Sequence, residues 1–186
     1  MKLIILDRDG VINVDSDAFI KSPAEWRPIP GSLEAIARLN QAGYRVVVAT
    51  NQSGVARGLF DMRVLNAIHQ KMHAAALAVG ADIDAVFFCP HAAAENCDCR
   101  KPKPGMIHAI AKRFETRMKG VPVVGDSLRD LQAGFVAGGV PYLVLTGKGE
   151  MTRGTAGLPP DTQVFADLAA VVDHLLNTAA NPLGAD

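Results

Sequence analysis

Short apolar runs alternate along the chain with longer stretches in which apolar residues recur every three or four positions. KLIIL (2–6), RVVVAT (45–50), AVFFC (85–89), VPVVGD (121–126) and YLVLT (142–146) are rich in β-branched and aromatic residues and read as strands. A weaker strand is expected at TQVFA (162–166). Helical spacing covers 32–43, a long stretch within 61–80, about 104–118, 128–139 and roughly 167–177. Gly31 and Ser32 open the first of these and Gly43 follows it, which is reasonable capping chemistry. The strands are almost continuously apolar rather than alternating, so both of their faces are expected to be buried. That predicts an α/β fold, a doubly wound parallel sheet with helices on both faces.

In such sheets ligands bind beyond the carboxyl ends of the strands, near the point where strand order reverses. The polar residues just after the apolar runs are Asp7-Arg8-Asp9, Thr50-Asn51-Gln52-Ser53, Asp126-Ser127 and Thr146-Gly147-Lys148. The fold prediction places all four clusters on one rim. With 186 residues the chain supports one full hydrophobic core, so 1–177 is expected to form a single domain, with 178–186 a loose tail.

The formal net charge is zero with the five histidines neutral, poor equipment for nucleic acid, whose non-specific affinity needs surplus Lys and Arg. No run approaches the roughly 18 apolar residues of a membrane span. The N-terminus has one lysine and a short apolar run before Asp7, less than a secretory segment requires. The expectation is a cytoplasmic protein with no nucleic-acid or membrane partner, and a monomer, since no exposed apolar face is legible.

Asp7 and Asp9 lie two apart, and extended geometry would turn both to the same side. Two such carboxylates repel unless a cation sits between them. Asp126, ending another strand, could complete an oxygen site suited to Mg²⁺. Thr50, Ser53, Arg100 and Lys101 add hydroxyl and cationic groups, the equipment for stabilising a phosphoryl group in transfer. One aspartate could then attack phosphorus while the other protonates the leaving oxygen and later activates water. Taken alone, Asp-x-Asp-Gly after a strand is also a turn that tolerates acids. Ser127 and Asp130 fit an S-x-x-D capping box, favoured here over a metal contact for Asp130.

All three cysteines fall within CPHAAAENCDC (89–99). Cys89, His91, Cys97 and Cys99 form a Cys₃His set, the makeup of closed structural Zn²⁺ sites; the alternative is three thiols beside a chance histidine. The loop leads directly into Arg100 and Lys101, so a metal there would also position those cations.

The ordered set DRDG, TNQSG, RKPKPG and GDSLRD resembles the four motifs of the haloacid dehalogenase superfamily of phosphatases, over residues 2 to about 148. The resemblance implies Asp7 as the nucleophile that forms an aspartyl-phosphate and Asp9 as general acid and base. It implies Thr50 and Lys101 as phosphoryl-binding groups, and Asp7, Asp126 and the backbone carbonyl of Asp9 as Mg²⁺ ligands. Together with the cysteine loop it narrows to small phosphatases of sugar bisphosphates, with a phosphorylated amino alcohol as the alternative substrate. Substrate contacts are then implied at Asp15, Ser16, Asp17, Ala18, Asn51, Gln52, Ser53 and Arg100, besides Asp7, Asp9, Thr50 and Lys101. Ser127 departs from the lysine many members carry there, and 15–18 lacks an aromatic residue. A signalling receiver that merely accepts phosphate on an aspartate would show similar acids, hydroxyl and lysine.

Residues 11–31 are too few for a cap domain and are expected to form a flap, leaving an open site. Arg57, Lys103 and Lys148 are candidates for a distal phosphate, against the alternative of solvated surface cations. His69 and His73 lie beside the apolar stripe Val64, Leu65, Ile68, Met72, Ala76, Val79, and no nearby acid or cysteine supports metal binding by them. Trp26, in the flap, is expected to pack locally.

Overall fold

The computed structural model describes residues 1–180. Strands β1 (Lys2–Leu6), β2 (Tyr44–Asn51), β3 (Ala85–Cys89), β4 (Pro122–Gly125), β5 (Val140–Val144) and β6 (Gln163–Phe165) alternate with helices α1 (Ser32–Gln41), α2 (Met62–Ala78), α3 (Gly105–Arg113), α4 (Leu128–Val136), α5 (Gly149–Arg153) and α6 (Leu168–Ala180). The strands form one sheet in the order β3-β2-β1-β4-β5-β6, every pairing parallel. This is the doubly wound order, and it reverses between β1 and β4.

Why the strands are apolar throughout is visible in β1 and β2. Ile4, Leu6, Val46 and Val48 face a core shared with Leu33, Ile36 and Leu39 of α1, Ile68 and Met72 of α2, and Val171 and Val172 of α6. Leu3, Ile5, Val47 and Ala49 face the opposite core, with Met106, Ile107 and Ile110 of α3 and Ala133 of α4. Each fully buried Ile or Leu contributes about 1.5–3 kcal/mol by leaving water. The two cores together anchor the central strands whose ends carry the polar clusters.

Several boundaries differ from the sequence expectation for local reasons. α3 stops at Arg113, short of 118, because Glu115 adopts a left-handed conformation (φ 48°) and Thr116 N–H turns back to the Ala111 carbonyl at 3.0 Å. β5 begins at Val140 and ends at Val144; Pro141 is tolerated because β6 pairs only from Tyr142 onward. α5 and a 3₁₀ turn at Ala93–Glu95 were not predicted, being too short to show a period. Val79 lies just past α2 and is exposed, so the apolar stripe ends at Ala76. Ser32 does not cap α1: the N-cap is Gly31 at φ 83°, and the Ser32 hydroxyl instead donates to the Val11 carbonyl at 2.9 Å, tying the flap to the helix. α6 runs through Ala180, so 178–180, expected in a loose tail, are helical; the rest of the expected tail, 181–186, lies outside the described residues.

Residues 11–31 form the expected flap, with isolated bridges joining Asn13 to Asp9 and Pro28. No cap domain is present among the described residues. Trp26 of the flap is buried and its indole N–H donates to Asn13 Oδ1 at 3.0 Å, local packing as expected. No helix among the described residues is long and apolar enough to cross a membrane.

Candidate active site

The carboxyl ends of β1, β2 and β4, with the flap above them, enclose a cavity of about 230 Å³. Asp7, Asp9, Thr50, Asn51, Gln52, Ser53, Arg100 and Asp126 all line it, as do Asp15, Ser16 and Asp17 of the flap. The single-rim expectation therefore holds. Ala18 does not line it; its N–H bonds to Ser16 Oγ while its side chain faces solvent, and Phe19, with left-handed φ 64°, turns into the cavity instead.

Asp7 directly follows β1, its N–H held by the Val124 carbonyl at 2.9 Å. Its Oδ1 takes the Arg8 N–H at 2.7 Å and lies 3.1 Å from Lys101 Nζ. The same ammonium is 2.7 Å from Asp130 Oδ1 and donates to the Ala49 carbonyl at 2.6 Å. Burial works against the Lys101 charge, but Asp130 and Asp7 outweigh it and raise its pKa.

Three carboxylates, Asp7, Asp126 and Asp130, bring oxygens within 4.8 Å of one another. Burial, opposed by Lys101 and reinforced by Asp130 and Asp9, pushes Asp7 up to about 7. Burial, then Asp130 and Asp7, pushes Asp126 up to about 8. Asp126 is wedged between Gly10 and Gly147, where any side chain would overlap its carboxylate. Acids this close fit a hard divalent cation, which would let Asp7 and Asp126 stay ionised while Asp130 is already paired with Lys101.

The Asp9 side chain lines the same cavity as Asp7, as expected, but stands outside this cluster. Past Leu6 the chain leaves extended geometry: Gly10 has φ 81°, and Ile12 N–H returns to the Arg8 carbonyl at 2.9 Å. The alternation rule lapses there. Asp9 Oδ1 accepts from Arg8 Nε (3.1 Å), Arg8 Nη2 (2.9 Å) and Asn13 Nδ2 (2.9 Å), and Oδ2 from Arg8 Nη2 (3.0 Å) and Gln52 Nε2 (2.9 Å). Burial acts to raise its pKa, but the Arg8 charge and these hydrogen bonds hold it below the usual carboxylate range.

Asp130 makes the expected capping box and also stands in the acid cluster. Its Oδ2 accepts from Ser127 N–H at 3.0 Å and from the Ser127 hydroxyl, the expected capping box. Its Oδ1 faces Lys101 and its carboxylate joins the acid cluster.

The cysteine loop gathers as expected. Cys89 and Cys97 sulfurs are 3.5 Å apart, as are Cys97 and Cys99, and His91 Nδ1 lies 3.3 Å from Cys99 Sγ and 3.6 Å from Cys89 Sγ. The thiols are not disulfide-bonded. A tetrahedron with Zn–S bonds of about 2.3 Å has edges of about 3.8 Å, so four donors at this spacing fit one Zn²⁺ and leave no open position. Arg100 Nη1 donates to the His91 carbonyl at 3.2 Å, linking this loop to the cavity.

A family model for haloacid dehalogenase-like hydrolases matches residues 1–138. The chain belongs to that family. It is 61% identical to the D-glycero-beta-D-manno-heptose-1,7-bisphosphate 7-phosphatase of Bordetella bronchiseptica, over 96% of this chain and all of that protein. It is 52% identical to the Pseudomonas putida enzyme of the same name, over 95% of this chain and all of that one. A crystal structure of the B. bronchiseptica D,D-heptose 1,7-bisphosphate phosphatase, complexed with magnesium and phosphate, superposes with a TM-score of 0.94, covering 95% of this chain and 99% of that one.

The remaining candidates of this hydrolase divide into groups that face the cavity and groups that support it. Asn51 spends its amide on the Lys101 backbone, donating to the carbonyl at 3.0 Å and accepting the N–H at 3.1 Å. Gln52 Nε2 bridges Asp9 and the Thr50 hydroxyl, the latter at 2.9 Å. Both side chains are thus engaged with the machinery itself. Arg57 and Lys148 line the cavity, and Lys148 Nζ sits 3.3 Å from Asp15 and 3.1 Å from Asp17. Lys103 does not line it: its ammonium bonds Asn96 and faces Asp98 on the cysteine loop. Sequence reasoning missed Arg129, which lines the cavity, and Arg8, which is wholly buried. An arginine between two aspartates reads as solvated until the turn that swallows it is known.

Proposed function

We propose that this hydrolase removes the 7-phosphate of D-glycero-D-manno-heptose 1,7-bisphosphate through a phospho-aspartate, a cytoplasmic step toward ADP-heptose for lipopolysaccharide. The observation that carries the chemistry is Asp7 just past the carboxyl end of β1, held by Lys101 and flanked by Asp126 and Asp130, with Asp9 two residues on. Identity of 61% to a heptose bisphosphatase over nearly the whole chain supports the substrate.

Asp7 attacks phosphorus from its free carboxylate oxygen; the Asp7–phosphorus bond forms as the bond to the sugar oxygen breaks. Asp9, which must carry a proton in the substrate complex, supplies the proton that oxygen takes. Water then attacks the phosphorus of phospho-Asp7 while Asp9 accepts its proton and is reprotonated for the next cycle; the bond from phosphorus to the Asp7 oxygen breaks, freeing the Asp7 carboxylate and inorganic phosphate. Lys101 and Thr50 hold the transferring phosphoryl oxygens. Asp7, Asp126 and the Asp9 backbone carbonyl would hold Mg²⁺, whose chemistry is to neutralise phosphoryl charge and align the phosphate with Asp7. Cys89, His91, Cys97 and Cys99 would hold a structural Zn²⁺. Arg57 and Lys148 face the cavity and suit the distal 1-phosphate. The protein acts as a monomer.

Phosphate release across both heptose bisphosphate anomers, fructose 1,6-bisphosphate and histidinol phosphate tests this. The heptose bisphosphates are expected to give the highest kcat/KM; a preference for histidinol phosphate would overturn the substrate. Asp9→Asn is expected to retain Mg²⁺ binding and nearly abolish turnover, and full turnover in that variant would remove the mechanism.

A further inference from the structure

Arg8 lies inside the protein with no solvent exposure, and its guanidinium is held at both edges. Nε and Nη2 grip the two oxygens of Asp9. Nη1 points the other way, to Nε2 of His69 at 3.3 Å. His69 belongs to α2, is itself buried, and packs against the ring of Phe88 on β3, centroids 6.0 Å apart. We propose that His69 is a positioning residue for the acid–base step: it anchors the far edge of Arg8, and Arg8 in turn fixes where the Asp9 carboxylate stands. This rests on the reading of Asp9 as general acid and base given above.

Donors and acceptors decide the arrangement around Arg8. Guanidinium is always charged and donates only. The His69 nitrogen that faces it must therefore present a lone pair, which leaves the ring proton on Nδ1. Without that acceptor, a buried N–H of Arg8 has no partner there, and the guanidinium is pinned on one edge only. Asp9 is then held on its other side by Asn13, itself braced by Trp26, and by Gln52. Those amides direct single oxygens, whereas the two-nitrogen grip of Arg8 sets the plane of the carboxylate. A displacement of about 1 Å at a reacting group costs on the order of a hundredfold in rate.

Misplacing Asp9 has a signature that general loosening lacks. A sugar oxygen leaves as an alkoxide and needs the Asp9 proton as its bond to phosphorus breaks. A p-nitrophenolate leaves without a proton. The ratio kcat/KM reports steps through formation of phospho-Asp7, so a fault in Asp9 placement lowers it for the sugar phosphate and spares the aryl phosphate.

The experiment compares His69→Leu, His69→Gln and Asp9→Asn with the wild type, on heptose bisphosphate and on p-nitrophenyl phosphate. His69→Leu is expected to lose at least ~10-fold in kcat/KM on the bisphosphate and under ~3-fold on the aryl ester. His69→Gln, whose amide oxygen can accept from Arg8, is expected to restore most of the loss. Equal losses on the two substrates, no loss on the bisphosphate, or failure of a folded Gln variant to recover would overturn the assignment. Asp9→Asn separates this from the underlying reading: full bisphosphate turnover there sinks the role of Asp9 itself. A leaving-group-dependent loss in Asp9→Asn with none in His69→Leu sinks only the role of His69. Should the Leu variant not fold, the imidazole ¹⁵N spectrum of the wild type decides, with Nε2 expected unprotonated; a proton on Nε2 would overturn the proposal.

Discussion

Lys101 and Asp130 form an ion pair 2.7 Å long in which both side chains are almost wholly out of water, at 3% and 2% exposure. The pair joins the loop that follows the cysteine cluster to the first turn of α4, and Asp7 shares the same ammonium at 3.1 Å. A buried pair does not by itself stabilise, but removing one member strands the other.

In metal-free protein Lys101→Met should therefore unfold more easily by about 3–5 kcal/mol, because it leaves Asp7 and Asp130 close together with no cation. Urea denaturation followed by circular dichroism measures this. A variant as stable as the wild type would show that the acids find another partner.

The acid cluster predicts a stabilisation by Mg²⁺. A ligand that binds only the folded state at a hundred times its Kd adds about 2.7 kcal/mol. Thermal unfolding of the wild type should shift upward with Mg²⁺, and Asp126→Asn should lose most of that shift. Equal shifts in both proteins would place the cation elsewhere.

His69 predicts a pH dependence of stability. Burial first, then Arg8 and His73, push its pKa down to about 4 from the ordinary 6.5. The unfolded chain binds the proton first, so stability is complete above about 6.5 and falls as pH drops toward 4. At pH 5 the loss is about 2 kcal/mol at most, using 1.36 kcal/mol per pKa unit. His69→Gln should flatten this part of the profile of urea-derived stability between pH 7 and 5; an unchanged slope would assign it to other groups.

The cysteine loop predicts one equivalent of zinc in purified protein, read by elemental analysis. Cys97→Ser should lower the melting temperature by about 5 °C or more, since losing a ligand of a closed site costs at least ~2 kcal/mol in a domain of this size. Metal-free protein with unchanged melting would refute the site.

Much of this protein was legible before any coordinates. β1 and β2 were readable because a strand buried on both faces needs apolar residues at every position, and Leu3 to Leu6 and Val46 to Val48 supply them. The clustering of Asp7, Thr50 and Asp126 follows from the same reading, since parallel strands carry their carboxyl ends to one edge. Cys89 to Cys99 was legible because metal ligands are few and their chemistry is specific. α5 and the full length of α6 were not, the first lacking enough turns to show a period and the second carrying polar residues near its end.

The tertiary structure alone decided the side-chain directions beyond the strand ends. Asp9 shares the cavity with Asp7 but stands outside the acid cluster, because the turn at Gly10 redirects the chain and Arg8, Asn13 and Gln52 meet it from three segments. Asp130 became more than a helix cap because Lys101 arrives from a loop far away in sequence. Local periodicity records which face of an element is dry. Where a charged group finds its partner depends on packing between distant segments, and that is set only when the two cores close around the sheet.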